Sequence, residues 1–216
     1  MSMTRRLSSI LAALAPIVLA LGAFAAAPAG AAPKPFMGEE AVLGDPKAPV
    51  TVVEYASASC PHCARFNNEV FPAFKAKYVD TGKVRYVLRE LLTDPQEFAA
   101  AGFLTARCAG QDKYLAVVDA VFHDQQHIYE TGDLLGGLQA IGARFGLSKA
   151  DLTACLNDPK AQAALNARVT AAEKAGIEST PTFIINGTKR EGELTLGDLM
   201  LVIEPMLAAR AAAARP

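Results

Sequence analysis

The run Val50–Ala56 (VTVVEYA) is β-branched and apolar, the pattern of a buried strand. From Cys60 to Val79 the period changes. Phe66, Val70, Phe74 and Tyr78 recur every fourth residue, which predicts a helix. Gly82 turns the chain into Val84–Leu91, where Val84, Tyr86 and Leu88 alternate with Arg85, Val87 and Arg89 as a second strand. The opening is therefore a strand–helix–strand unit. Between Pro95 and Gly176 the pattern is helical throughout. Helices are predicted over Gln96–Ala109, Lys113–Gln125, Asp133–Phe145, Lys149–Leu156 and Lys160–Ala175, punctuated by Gly110, Gly132, Gly146 and Asp158-Pro159. Thr182–Ile185 predicts a third strand, Asn186-Gly187 a hairpin turn, Thr188–Glu191 a fourth strand and Leu196–Leu207 a closing helix. Ala208–Pro216 is expected to fray. A helical block of about 80 residues thus splits a small α/β sheet.

The N-terminus reads as a targeting segment. Arg5 and Arg6 precede an uncharged run, Ile10–Ala27, and Ala29-Gly30-Ala31 is a small-residue cleavage site. Pro16, Gly22 and the many alanines argue against an uncleaved anchor. The organisation expected is a signal peptide over 1–31, a first sheet portion over 32–94, a helical insertion over 95–176, a second sheet portion over 177–207 and a tail over 208–216. No second hydrophobic span follows, so the mature protein is expected to be soluble, and the short signal fits export into a bacterial cell envelope. With 51% hydrophobic residues a sizeable core is available, and 21 basic against 22 acidic residues leave no clustered basic face for nucleic acid.

Export changes how the four cysteines are read, because an oxidising compartment favours disulfides. Cys60-Pro61-His62-Cys63 ends a strand and opens a helix. Two intervening residues let both sulfurs meet within one helical turn. The free N–H groups and partial positive charge of the helix N-terminus stabilise a thiolate. Pro61 loses no needed hydrogen bond in the first turn, and His62 can add a donor or a positive charge. Together these lower the pKa of Cys60, the more exposed thiol, and stabilise the reduced pair. Half of a zinc site is the alternative, but no second pair of ligands follows at matching spacing. Cys108 and Cys155, 47 residues apart in the helical block, read as a structural disulfide. His123 and His127, four apart around Asp124, lack a third ligand and read as a solvated helix face. Thr180-Pro181 precedes the third strand, where a cis proline beside the sulfurs could stop the strand edge and free backbone groups for an extended peptide.

The order Glu54, Cys60-Pro61-His62-Cys63, helical insertion, Thr180-Pro181-Thr182-Phe183 resembles the DsbA-like family of periplasmic thiol:disulfide oxidoreductases, over about Val42 to Leu207. The resemblance implies a thioredoxin-like fold with an inserted helical domain. It implies that Cys60 forms the mixed disulfide, that Cys63 resolves it and that Pro181 is cis. Glu54, six residues before Cys60, matches the family's buried acid, with Arg85 or Arg89 as candidate basic partners. The implied reaction forms disulfides in unfolded or partly folded exported proteins with free thiols. It uses no cofactor, and a membrane redox partner reoxidises the pair. Thr180 looks more like the isomerase branch, while Pro61-His62 looks like the oxidase branch. Only about 15 residues separate the cleavage site from the fold, which leaves no room for a dimerisation domain and favours a monomer. An isomerase or reductase of the same fold, or a thiol-based metal-binding protein, are the alternative readings.

Overall fold

The computed structural model describes residues 33–38 and 40–213. The expected signal segment and its cleavage site lie outside them. Five strands form one sheet in the order β1 (Ala41–Leu43), β3 (Val84–Glu90), β2 (Val50–Ala56), β4 (Thr182–Ile185), β5 (Thr188–Glu191). β2 and β3 are parallel, and the remaining neighbours are antiparallel. A parallel pair needs a crossover, supplied here by the helix that follows Cys60. The short β1 carries no periodic signal over its three residues. It forms by pairing backbone with the free edge of β3.

The crossover helix alternates α1 (Pro61–Arg65) and α2 (Phe71–Phe74) with π-type turns at Phe66–Val70 and Lys75–Val79. The alternation explains the fourfold spacing of its apolar residues. At 3.6 residues per turn a strict four-residue repeat drifts off one face, and the wider π turns absorb the drift. Phe66, Phe74 and Tyr78 consequently all remain buried against the sheet. Phe66 packs edge-on against Phe183 at 4.8 Å between ring centroids, and Phe71 lies tilted against Tyr86 at 4.7 Å.

Between β3 and β4 run α3 (Gln96–Cys108), a 3-10 turn at Gln111–Lys113, α4 (Tyr114–Thr131), α5 (Leu134–Arg144), α6 (Lys149–Leu156) and α7 (Pro159–Lys174). α4 extends past the predicted Gln125 to Thr131. The stop comes where Gly132 takes a left-handed conformation and closes the last turn onto the Ile128 carbonyl. A disulfide joins Cys108, at the end of α3, to Cys155 in α6. Closing a loop of 47 residues stabilises by about 4 kcal/mol in the chain-entropy account.

The last helix, α8 (Leu196–Ala213), runs past Leu207, where the sequence predicts its end. A capping box starts it. The Asp198 N–H donates to the Thr195 hydroxyl oxygen at 3.1 Å, and the Thr195 N–H to the Asp198 carboxylate at 2.9 Å. Alanine and arginine, strong helix formers, carry it on past Leu207. No helix of the described residues is long and apolar enough to cross a membrane.

Candidate functional site

The Ser57–Cys60 turn at the end of β2 is held from three sides. The Ser59 hydroxyl donates to the Thr93 carbonyl at 2.7 Å, and the Thr93 N–H donates back to the Ser57 hydroxyl at 3.1 Å. From α4, the buried Gln125 amide donates to the Ala58 carbonyl at 2.8 Å and to the Cys60 carbonyl at 3.3 Å. The Tyr129 hydroxyl donates to the Ser59 carbonyl at 3.0 Å. α3 comes so close that a Cβ on Gly102 would stand 2.8 Å from that of Ala58, so only glycine fits there. Sequence reasoning named none of Gln125, Tyr129 or Gly102 as part of the site. Each lies far from Cys60 along the chain and reaches the turn only through helix packing.

Cys60 is the N-cap of α1, and its Sγ accepts the Cys63 N–H at 3.4 Å. The Thr180 carbonyl lies 3.4 Å from the same sulfur, and the Thr180–Pro181 bond is cis. Both thiols are free. Cys60 is 6% exposed and Cys63 is fully buried. Their acidities diverge. The Cys63 thiol donating to the Cys60 sulfur is the largest influence drawing Cys60 down to about 5, against the opposing effect of burial. Thr180 and the backbone N–H groups of Cys63 and His62 add to it. Burial pushes Cys63 well above its ordinary value, and the neighbouring Cys60 and Glu54 charges push the same way.

His62 acts on Cys60 through its backbone N–H. Its imidazole Nδ1 faces the Glu193 carboxylate, which also takes two bonds from Arg65 at 2.7 and 2.9 Å. Glu193, in the loop before α8, carried no sequence signal. Glu54 lies buried on β2 with Tyr86 donating to its carboxylate at 2.6 Å. The expected basic partners do not reach it. Strand alternation points Arg85 and Arg89 to the other face of β3, where both pair with Glu40 at 2.7 and 2.6 Å. Burial without a cation pushes the Glu54 carboxyl up to about 8; the Tyr86 hydroxyl opposes the shift, and the Cys60 charge adds to it. His123 and His127 are exposed on α4, and His123 pairs with Asp119. No cluster of three or more candidate metal ligands occurs among the described residues.

Residues 37–205 match the family model described as thioredoxin. The chain belongs to the thioredoxin family. Within it, the chain is 36% identical over 152 residues to a Rickettsia typhi protein that bears the name protein-disulfide oxidoreductase, covering 69% of this chain and 56% of that protein. The chain spans about half the length of the curated relatives it matches. The crystal structure of Wolbachia pipientis alpha-DsbA1 superposes with a TM-score of 0.72 at 32% identity, covering 82% of this chain and 94% of that one. Oxidised BdbD from Bacillus subtilis, at 21% identity and a TM-score of 0.65, covers 82% of this chain and 97% of its own and shares the fold. These likenesses place the chain on the DsbA-like side of the thioredoxin family.

Proposed function

We propose that this protein catalyses thiol–disulfide exchange, forming disulfides in exported proteins through the Cys60–Cys63 pair. The observation that carries the reading is the divided acidity of the two thiols at one helix N-terminus. A substrate thiolate attacks Cys60 Sγ of the oxidised pair. The new S–S bond forms as the Cys60–Cys63 bond breaks, and the electron pair leaves on Cys63 Sγ, which takes a proton from Glu54. A second substrate thiolate then attacks its own sulfur in the mixed disulfide, and Cys60 departs as a thiolate. Two electrons pass to the enzyme, and a membrane redox partner removes them.

A Cys60 value near 5 favours the departing thiolate at neutral pH. The sign follows from linkage. Against an ordinary value near 9, the stabilisation of the reduced protein is complete above pH 9, is about half present at pH 7, and is lost as pH falls through 5. At pH 7 that is about 2.7 kcal/mol, on the order of 60 mV toward an oxidising disulfide. The Thr180 carbonyl leaves backbone polarity beside the sulfur for an extended peptide. A groove of about 540 Å³ between α1 and α4, lined by Pro61, Ala64, Asn68, Phe122 and Tyr129, offers such a peptide room. The apolar leader before residue 32 and the Cys108–Cys155 bridge support a periplasmic location.

Trapping tests this. Cys63→Ala is expected to accumulate mixed disulfides with exported proteins on a non-reducing gel, and Cys60→Ala to accumulate none. Equal trapping by both variants contradicts the assigned roles. Glutathione equilibration separates an oxidase from an isomerase or reductase, since only the first requires a strongly oxidising pair.

A further inference from the structure

Among the described residues Glu54 is the acid beneath the redox pair, and its surroundings are unusual for a buried carboxyl. The groups that face it are Tyr86 from β3, Cys60 and Cys63 from α1 and the turn before it, and Phe183 opposite it on β4. No lysine or arginine appears among them, because Arg85 and Arg89 share the opposite face of β3. The hydrogen bond it receives comes from the Tyr86 hydroxyl, which is fixed in its turn. Tyr86 is buried, its ring tilted against Phe71 at 4.7 Å and edge-on to Phe74 at 6.3 Å. The strand register explains the contact. Tyr86 pairs directly with Val52, one same-face position before Glu54, so the phenol ring leans diagonally across to the carboxyl.

We infer that Tyr86 is the positioning residue of the proton step at Cys63, its hydroxyl aiming the Glu54 carboxyl and setting the pH at which that carboxyl exchanges its proton. The inference rests on the proposed exchange reaction and on Glu54 as its proton carrier. A phenol hydroxyl stabilises the carboxylate without neutralising it. A cation in the same place would hold Glu54 ionised throughout the neutral range, and an apolar partner would hold it protonated. The hydrogen bond from Tyr86 places the change between these limits, where the carboxyl can give a proton to the departing Cys63 sulfur and take it back when Cys63 attacks. In the return direction the Cys63 thiol loses its proton to the Glu54 carboxylate as Sγ attacks Cys60. The Cys60–Cys63 bond forms, and the bound partner leaves as its thiolate.

The test uses the full chain, loaded at Cys60 with a small thiol as a mixed disulfide. Its escape by attack of Cys63 is followed across pH. In the wild type the rate should rise with pH to a plateau, with an inflection that Glu54→Gln abolishes. Tyr86→Phe should move that inflection up by about one pH unit, slowing escape about tenfold below it and leaving the plateau unchanged, because a lost hydrogen bond to a charged group costs about that much. A 3,5-difluorotyrosine at position 86, whose hydroxyl is the stronger donor, should move the inflection down. The fluorinated chain keeps the ring and the hydroxyl, so it reports even if Tyr86→Phe folds poorly. An inflection unmoved by the fluorinated residue or by a folded Tyr86→Phe overturns the role of Tyr86 and leaves Glu54 standing. An inflection that survives Glu54→Gln overturns the Glu54 reading itself.

Discussion

Two buried glutamates on adjacent strands are equally hidden, each 2% exposed, yet they live in opposite chemical circumstances. Glu90, the last residue of β3, is saturated. Arg107 meets its carboxylate at 2.7 Å, Arg168 approaches from α7, and the Tyr114 hydroxyl donates at 3.0 Å. The Arg107 guanidinium lies against the rings of both Phe36 and Tyr114, at 4.5 and 4.8 Å, which meet each other edge to face, and it donates to the Phe36 and Gly38 carbonyls. The cluster ties the residues before β1 to the helices. Glu54, in the middle of β2, receives one hydrogen bond and no cation among the described residues. Thr180 nearby has a buried hydroxyl with no hydrogen-bond partner there. A fully satisfied polar cluster holds the fold rigid, whereas an under-satisfied one keeps its protons mobile. The second arrangement lies beside the Cys60 and Cys63 sulfurs.

The sharpest way to break this contrast is to unbalance the saturated end. Arg107→Met leaves the Glu90 charge short of a partner and is expected to cost about 3–5 kcal/mol by urea unfolding, with the potential of the Cys60–Cys63 pair unchanged. A small stability loss, or a shifted potential, would erase the division between the two centres. Glu54→Gln should act in the opposite direction. The carboxyl titrates near 8 when folded and near 4.5 when unfolded, so the folded reduced protein holds the extra proton. The Glu54 contribution to stability should therefore fall between about pH 4.5 and pH 8, against the opposite contribution of the Cys60 thiolate in the same reduced protein, and the substitution should abolish the Glu54 part alone. The variant is expected to be about 3–4 kcal/mol more stable than wild type at pH 8 and no more stable at pH 4. Thermal melts of the reduced proteins at both pH values check it. The smallest effect belongs to Thr180→Val. The Thr180 hydroxyl has no partner among the described residues while Cys60 is a thiol, so its removal should hardly change stability, but as a donor to the Cys60 thiolate the Thr180 side chain helps to hold Cys60 low. The Cys60 titration, read by thiolate absorbance, should rise by about one pH unit, making the pair about 30 mV less oxidising if that rise is carried in full.

Local residues announced much of the site. The Cys60–Cys63 spacing, Pro61 at the first helical position and the strand before them are features of adjacent residues, and so are the alternation in β3 and the Asn186-Gly187 turn. The partners were less visible. Arg85 and Arg89 were reasonable cations for Glu54 by distance along the chain, but their odd-numbered positions on β3 send them to the far face. Tyr86, at the even position between them, looked like one more core aromatic. Its hydroxyl matters only because the β2–β3 register sets it diagonal to Glu54. Gln125 and Tyr129 carry no more signal than any polar residue on an amphipathic helix, and the sequence pattern predicts the end of α4 at Gln125 itself.

The sequence by itself determined the order of strands and helices from β2 onward, the Cys60–Cys63 pair and its place at a helix N-terminus, since period, turn chemistry and capping act between residues a few positions apart. Only the tertiary structure decided what each buried polar group touches. Glu54 received a phenol and Glu90 two arginines because side-chain partners are set by strand register, by the face a residue occupies and by which helix packs over it. Those relations join residues 17 to 78 positions apart in the contacts of these two carboxylates, and no local pattern encodes them.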